Sequence, residues 1–425
     1  MKNATKLKGT MLMNHFITEI KIEELIHLSD IHIMLNSERR TNLLLTGKNG
    51  SGKSTVLRAI KQYLKAINDG ALESLEKYFP EWLEHAQGQM KTAKNETERY
   101  KAQMDYEQYA GWLREYNQGL SVVFNDTDGI EGLYKTGIFL TAYYDAERKT
   151  RINRESRVED VVLETSYSLD STPGNVLLKY LIHLKTQQAY ARNEGDIATV
   201  QMLEEWFNRF VNALKVLLDN QSIQLSYDYK NYNFLIIEEG KNPFGFDQLS
   251  DGYSAVIQIV SDLILRMERN WLRAGNLSTY EAEGIVLIDE IETHLHIGLQ
   301  KKILAFLTEF FPNIQFIIAT HSPYVLNSID NCVIYDLENR VRMENMSGYS
   351  AEGIVEGYFG LDSYSQRLLQ KVKRYEYLAF LPSPTDEERE ERAMLLCEMK
   401  RLSGDLAGEV KDAFEEIENR RKQHD

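Results

Sequence analysis

Nine consecutive residues near the start of the chain have the types and spacing needed to bind phosphate. Gly-Lys-Asn-Gly-Ser-Gly-Lys-Ser-Thr, residues 47–55, matches GxxxxGK[ST]. The apolar run 42–46 precedes the motif, and the helix-forming stretch VLRAIKQYL follows it, which is the strand–loop–helix context of a P-loop. Backbone N–H groups of such a loop surround phosphate, and the helix N-terminus adds partial positive charge. The predicted nucleotide-binding residues are Gly47, Asn49, Gly50, Ser51, Gly52, Lys53, Ser54 and Thr55.

Two carboxylates end a second apolar run. Residues 285–288 are Ile-Val-Leu-Ile, and Asp289 and Glu290 follow directly. With ATP and Mg²⁺ as the predicted cofactors, Lys53 would reach the β- and γ-phosphates, while Ser54 and Asp289 would hold the metal. Glu290 would orient or deprotonate the attacking water and is a predicted catalytic residue. Acidic residues often end strands without a catalytic role, so this assignment depends on the P-loop.

A third apolar run, residues 316–319, is followed by Thr-His-Ser-Pro. His321 is a second predicted catalytic residue, in contact with the γ-phosphate; the alternative is a plain capping residue. Tyr144 and Arg148, near the end of another apolar stretch, are candidates for the edge of the nucleotide site.

Residues 249–253, Leu-Ser-Asp-Gly-Tyr, precede an apolar helix and resemble the LSGGQ signature of ABC ATPases. Asp251 replaces a glycine and Tyr253 replaces the glutamine, which leaves dimer affinity and turnover rate open. On this resemblance Ser250, Asp251 and Gly252 would face the ATP held by another copy of the chain. A serine-capped helix with no such role is the alternative.

The motif order resembles that of soluble ABC ATPases, the class of SMC and Rad50 heads, in which His321 would be the switch histidine. Within that class the chain resembles the ATPases of Septu-type and retron-associated antiphage systems. The resemblance implies ATP hydrolysis between two copies, and control of a nuclease subunit such as an HNH protein. It also allows contact with retron RNA or DNA through a partner, and it implies no nuclease in this chain. A repair ATPase of the RecF or Rad50 type, and an ATP-dependent switch without turnover, remain alternatives.

The predicted fold class is α/β: an ABC-type P-loop ATPase head with a helical insertion and a C-terminal helical bundle. The predicted segments are an N-terminal β lobe with the P-loop (1–67), the helical insertion (68–119), the rest of the core (120–350) and a helical assembly region (351–425). The net charge of −15 disfavours a general nucleic-acid coat, because phosphate neutralisation requires basic residues. No run of 18 apolar residues occurs, so we predict a cytoplasmic protein without membrane contact.

For three further groups of residues, the favoured interpretation is a structural role and not a binding site. Glu292, His294 and His296 are interpreted as a turn after the acidic strand and not as a metal site. Cys332 and Cys397 are expected to be buried free thiols. A solvated loop is the favoured interpretation of a basic cluster, and a phosphate or partner contact is the alternative. Its members are Arg148, Lys149, Arg151, Arg154 and Arg157.

Overall fold

A computed structural model describes residues 15–147, 155, 157–274, 282–344, 346–351, 353–354, 366–400 and 416–421. The chain forms two compact units, residues 1–348 and residues 349–425. The first unit combines one large, mainly parallel sheet with helices, so the predicted α/β class is confirmed.

The first unit contains twelve strands among its described residues. In chain order they are β1 (Ile17–Leu25), β2 (Leu28–Met34), β3 (Asn42–Thr46), β4 (Leu120–Phe124), β5 (Phe139–Tyr144), β6 (Gln224–Asp228), β7 (Asn233–Ile237), β8 (Phe244–Gly245), β9 (Glu283–Ile288), β10 (Ile314–Ala319), β11 (Cys332–Asp336) and β12 (Val341–Glu344). The apolar runs predicted to be strands before the P-loop, the paired carboxylates and His321 are β3, β9 and β10.

The central sheet has six strands in the order β12-β11-β3-β10-β9-β5. All neighbouring pairs are parallel except β11 with β12, which are antiparallel. β3, β5, β9, β10 and β11 are buried at every residue, as expected for a sheet covered on both faces. The carboxyl ends of these five parallel strands therefore meet at one edge, where open α/β sheets bind ligands.

Two smaller antiparallel sheets flank this core. One has the order β2-β1-β4, and the other has the order β6-β7-β8. β1 and β2 precede the P-loop, and β6 and β7 precede residue 249.

Ten α-helices are described in the first unit. They are α1 (Lys53–Asp69), α2 (Phe79–Thr92), α3 (Glu96–Tyr116), α4 (Ile130–Thr136), α5 (Leu177–Glu194), α6 (Ile197–Leu217), α7 (Asp251–Ala274), α8 (Ile297–Gln300), α9 (Ile303–Phe310) and α10 (Pro323–Leu326). Gly195 ends α5, and α6 begins two residues later.

The helical insertion is built around a hairpin of α2 and α3. A π-helical turn, Ser74–Tyr78, leads directly into α2. Pro80 lies in the first turn of α2, where its missing N–H costs little. Side chains of Phe79, Trp82, Tyr109 and Trp112 contact one another across the hairpin. Aromatic contacts of this kind stabilise the pairing of two otherwise exposed helices.

Several sequence expectations change in the structure. β12 pairs with β11 and forms the outer edge of the central sheet. Cys332 is buried, and burial raises the pKa of its thiol to about 12; Cys397 is exposed, contrary to expectation. Of the predicted basic cluster only Arg157 lies among the described residues, and it pairs with Glu159.

The described part of the second unit contains two helices of similar length, α11 (Gln366–Ala379) and α12 (Asp386–Lys400). Arg374 of α11 donates two hydrogen bonds to Glu391 of α12, at 2.7 and 3.1 Å. Much of the rest of the predicted helical assembly region, residues 351–425, lies outside the described residues. Among the helices described, none is long and apolar enough to cross a membrane.

Candidate functional site

The glycine loop after β3 has a backbone that few other residues could adopt. Gly47, Gly50 and Gly52 have φ angles of 130°, 84° and 100°, in the left-handed region that favours glycine. Gly52 is also the N-cap of α1 and provides no side-chain cap for the first helical N–H groups. The loop thus combines glycine-dependent geometry with the positive end of a 17-residue helix, the arrangement that binds phosphate.

Lys53 begins α1 with its ammonium group folded back over the loop. Its Nζ donates to the carbonyl oxygens of Gly47 at 2.9 Å and Lys48 at 3.1 Å. Desolvation lowers the pKa of Lys53, while the charges of Glu290 and Asp289 act in the opposite direction. A desolvated ammonium held beside carboxylates is a suitable partner for an anionic ligand.

Asp289 and Ser54 form an oxygen-rich pair between the end of β9 and the start of α1. The Asp289 side chain is buried, and burial raises the pKa of its carboxyl group; a hydrogen bond with Ser54 acts against that rise. Mg²⁺ prefers carboxylate and hydroxyl oxygens with room for water and phosphate ligands. The donor set of these two residues therefore fits this ion.

Glu290 occupies a strained position next to Asp289. Its φ of 46° is left-handed, which is uncommon for a residue other than glycine. The Thr293 hydroxyl donates to its carboxylate at 3.2 Å, and the Thr293 N–H donates to its carbonyl at 3.0 Å. Such outliers cluster at functional sites, because surrounding contacts must maintain them.

His321 follows β10, and the Glu292 carboxylate fixes its backbone. Glu292 accepts hydrogen bonds from the Thr320 hydroxyl at 2.8 Å and from the His321 N–H. Desolvation lowers the pKa of His321, and the positive charge of Lys53 lowers it further. The imidazole is therefore neutral at neutral pH and can donate one hydrogen bond.

The LSDGY segment lies at the start of α7, and its first polar residues face solvent. Ser250 and Asp251 are exposed, whereas Gly252 is buried. A Cβ atom at Gly252 would lie 2.4 Å from the carbonyl oxygen of His294, so only glycine permits this approach. His294 itself has a left-handed φ of 64°. The start of α7 is thus in backbone contact with the turn after Asp289 and Glu290.

The side chain of Tyr144, suggested above for the edge of the nucleotide site, contacts α7. Its hydroxyl donates to the Asp262 carboxylate of α7 at 2.8 Å, and Arg266 donates to the same oxygen at 2.7 Å. Arg266 also donates to backbone carbonyls of β5 and of residues 167–171. Meanwhile the Tyr144 carbonyl accepts from the Asp289 N–H at 2.8 Å. Arg148 lies outside the described residues.

Sequence reasoning missed the roles of several polar residues here. Glu292 was assigned to a plain turn, although it joins the ends of β9 and β10. His296 accepts from the Gly298 N–H at 3.2 Å and caps α8. Asp262 and Arg266 are four residues apart on an apolar helix, and this spacing is a signal that could have found the pair. Among the described residues, no group of three or more metal-ligating side chains is close enough to hold an ion.

The glycine loop, the acidic strand and the parallel sheet define a P-loop protein of the AAA class. The family described as "AAA domain, putative AbiEii toxin, Type IV TA system" matches residues 43–327, and the chain belongs to that family.

Curated relatives include a Septu protein and a retron probable ATPase. "Septu protein PtuA" of Bacillus mycoides (strain KBAB4) is 34% identical over 44% of this chain and 26% of that protein. "Retron Vc95 probable ATPase" of Vibrio cholerae serotype O1 biovar El Tor is 25% identical over 81% of this chain and 79% of that protein. Among solved structures, an SMC head bound to the C-winged helix domain of ScpA aligns with 78% of this chain and 99% of that chain, at 13% identity and a TM-score of 0.39. The predicted resemblance to Septu and retron ATPases is confirmed, although the match spans only about a quarter of the Septu relative.

Proposed function

We propose that the chain binds ATP with Mg²⁺ at the P-loop and hydrolyses it. The observation that carries this proposal is the meeting of Lys53, Ser54 and Asp289 at the carboxyl ends of β3 and β9. Mg²⁺, when bound, would neutralise phosphate charge between Ser54 and Asp289. Lys53 holds the terminal phosphates, and Glu290 orients the attacking water and accepts its proton. Neutral His321 donates a hydrogen bond to the terminal phosphate.

We place hydrolysis between two copies of the chain. Ser250 and Asp251 are exposed at the start of α7, where a second copy can reach them. In this arrangement the P-loop of one copy and the Ser250 segment of the other enclose one ATP. Because each copy supplies only half of a site, dimerisation is required for turnover.

The cellular role that we propose is control of a partner nuclease in antiphage defence. The names of the Septu and retron relatives support it, as does a family match over most of the chain. The partner nuclease, such as an HNH protein, would carry out the cutting and any contact with RNA or DNA.

The test of the ATP site uses two variants with matched controls. Lys53→Ala should lose ATP binding, because phosphate contact requires its ammonium group. Lys65→Ala, an exposed change on the same helix, should bind normally. Glu290→Gln should bind ATP and lose turnover by about 100-fold or more, whereas the exposed Glu309→Gln should hydrolyse ATP at the wild-type rate. Calorimetry and phosphate release measure these outcomes, and full turnover by Glu290→Gln would refute the assigned base.

The defence role has its own test. The chain and the nuclease encoded beside its gene are co-expressed and purified, and phage resistance is measured in cells. We expect a complex whose protection is lost in Lys53→Ala cells and kept in Lys65→Ala cells. Absence of a complex together with unchanged protection would contradict the role and leave the ATP site unaffected.

A further inference from the structure

A groove separates the outer edge of β4 from the helical insertion. Its volume is about 640 Å³, within the roughly 300–1,000 Å³ of typical ligand sites. Leu75, Pro80 and Leu113 line it from the insertion side. In the described part of the chain β4 pairs only with β1, so its other side is an open sheet edge.

The backbone of β4 presents hydrogen-bonding groups to this groove. The Gly119 carbonyl and the Asn125 N–H bond to the β1 side, at Glu23 and Phe16. Because bonding direction alternates along an antiparallel strand, the N–H and C=O groups of residues 120, 122 and 124 point away from β1. Proteins usually cover or charge such an edge, since it can pair with another strand.

The groove follows this edge and does not lie on one face of the sheet. Val122 and Phe124, whose side chains are buried, line it together with Ser121 and Val123, which are partly exposed on the opposite face. Five strand residues at about 3.3 Å each extend about 17 Å, enough to pair with a short peptide. The groove therefore has room for one added strand.

The charges and acceptors in the groove specify its occupant. Glu23, Glu76 and Asp126 line it, and no lysine or arginine is among the lining residues. The Asn117 Oδ1 atom, also in the lining, is buried without a hydrogen-bond partner in the part of the chain that the structure describes. Acidic groups with an available acceptor complement a donor-rich cationic ligand and repel nucleic-acid phosphate.

We propose that the β4 groove binds an extended, basic segment of a protein partner as an added fourth strand of the β2-β1-β4 sheet. Main-chain hydrogen bonds to residues 120, 122 and 124 give the affinity, and lysine or arginine side chains opposite Glu76 and Asp126 give the specificity. Apolar side chains of the segment alternate with the basic ones and lie against Leu75 and Pro80.

The experiment selects peptides of about ten residues from a random phage-displayed library on the full chain. We expect enrichment of sequences that alternate apolar residues with lysine or arginine. Hydrogen exchange with an enriched peptide should protect the amides of residues 120, 122 and 124. A version of the peptide methylated on alternate backbone nitrogens should bind at least about tenfold more weakly, because it lacks the donors that pair with β4.

Two double variants test whether peptide binding depends on the charges in the groove or on acidic residues outside it. The double variant Glu76→Gln, Asp126→Asn should lower affinity for the peptide by about tenfold or more. The matched double variant Glu84→Gln, Glu107→Gln removes the same charge from α2 and α3 outside the groove lining and should bind normally. ATP turnover should be unchanged in both double variants, so this test is independent of the P-loop test.

Four results would overturn the proposal. They are failure to enrich any peptide, equal binding of the methylated peptide, protection elsewhere than β4, and a β4-to-β4 contact between two copies detected by cross-linking. The last result would assign the edge to a second copy of the chain.

Discussion

At the residue scale, Glu292 shows how one carboxylate can connect two elements of a site. It bonds both to the Thr320 hydroxyl and to the His321 N–H, so it joins the turn after β9 to the end of β10. Such supporting contacts orient neighbouring functional side chains, and their loss commonly lowers affinity or activity.

We therefore expect Glu292→Ala to lower kcat for ATP by roughly 10- to 100-fold with little change in KM. The physical reason is that His321 loses its position while the glycine loop stays intact. Steady-state phosphate release at several ATP concentrations measures both parameters. Glu309→Ala should leave both unchanged, and Glu292→Gln, which keeps an acceptor oxygen, should recover part of the rate. A rise in KM alone would show that Glu292 acts in nucleotide binding instead.

At the scale of elements, the start of α7 depends on glycine for its contact with the turn after β9. Gly252→Ala would bring a methyl group to within 2.4 Å of the His294 carbonyl oxygen. Relief of this clash would require the backbone at His294 or at the start of α7 to move. We expect a loss of about 1–3 kcal/mol in the free energy of unfolding, together with reduced ATP turnover.

Gly88→Ala provides the opposite control. Gly88 lies inside α2, and an added Cβ meets nothing within 4 Å, so alanine should stabilise the helix by about 0.5–1 kcal/mol. Urea unfolding followed by circular dichroism measures both variants. Equal stability of Gly252→Ala and wild type would show that the α7 contact can relax.

The contact between α6 and α7 predicts that the stability of the protein depends on pH. Trp206 of α6 donates to the Glu268 carboxylate of α7 at 2.9 Å. Burial raises the pKa of Glu268 to about 7, above the ordinary value of 4.5 that applies after unfolding. The native state therefore binds this proton more tightly, and the contribution of Glu268 to stability falls as pH rises from 4.5 through about 7.

Glu268→Gln should be more stable than wild type at pH 8 by roughly 1–3 kcal/mol and should lose this advantage near pH 4.5. Melting temperatures across pH measure the difference. Glu205→Gln, an exposed change on α6, should follow the wild-type curve. A constant difference between Glu268→Gln and wild type at all pH values would exclude titration of this carboxyl group.

At the scale of the whole molecule, the proposed shared site can be tested by mixing inactive copies. Lys53→Ala and Ser250→Arg should each be inactive alone, because every site lacks one half. In an equal mixture about one quarter of wild-type turnover should return, since half of random dimers are mixed and each has one intact site.

The control is a mixture of Lys53→Ala with Glu290→Gln. These residues belong to the same half of the site, so no mixed dimer contains an intact ATP site and no activity should return. Phosphate release before and after mixing gives the answer. Recovery in both mixtures, or in neither, would contradict a site assembled from two copies.

The motifs and the main sheet could be predicted because their signals are local. An apolar run followed by glycine, carboxylate or histidine marks β3, β9 and β10 without knowledge of the rest of the chain. Tyr144 and Glu292 could not be interpreted in this way, because their roles depend on residues 118 and 28 positions away. The β4 groove is likewise invisible in sequence, since it exists only where an insertion packs near a distant sheet edge.

The two cysteines provide a spectroscopic handle on the assembled protein. Cys332 is buried and its thiol pKa is about 12, so it stays protonated and unreactive at neutral pH, whereas Cys397 is exposed. A maleimide dye should therefore attach at Cys397, giving one fluorophore per chain without mutagenesis. Donor- and acceptor-labelled copies could then report association in real time by energy transfer as nucleotide is added.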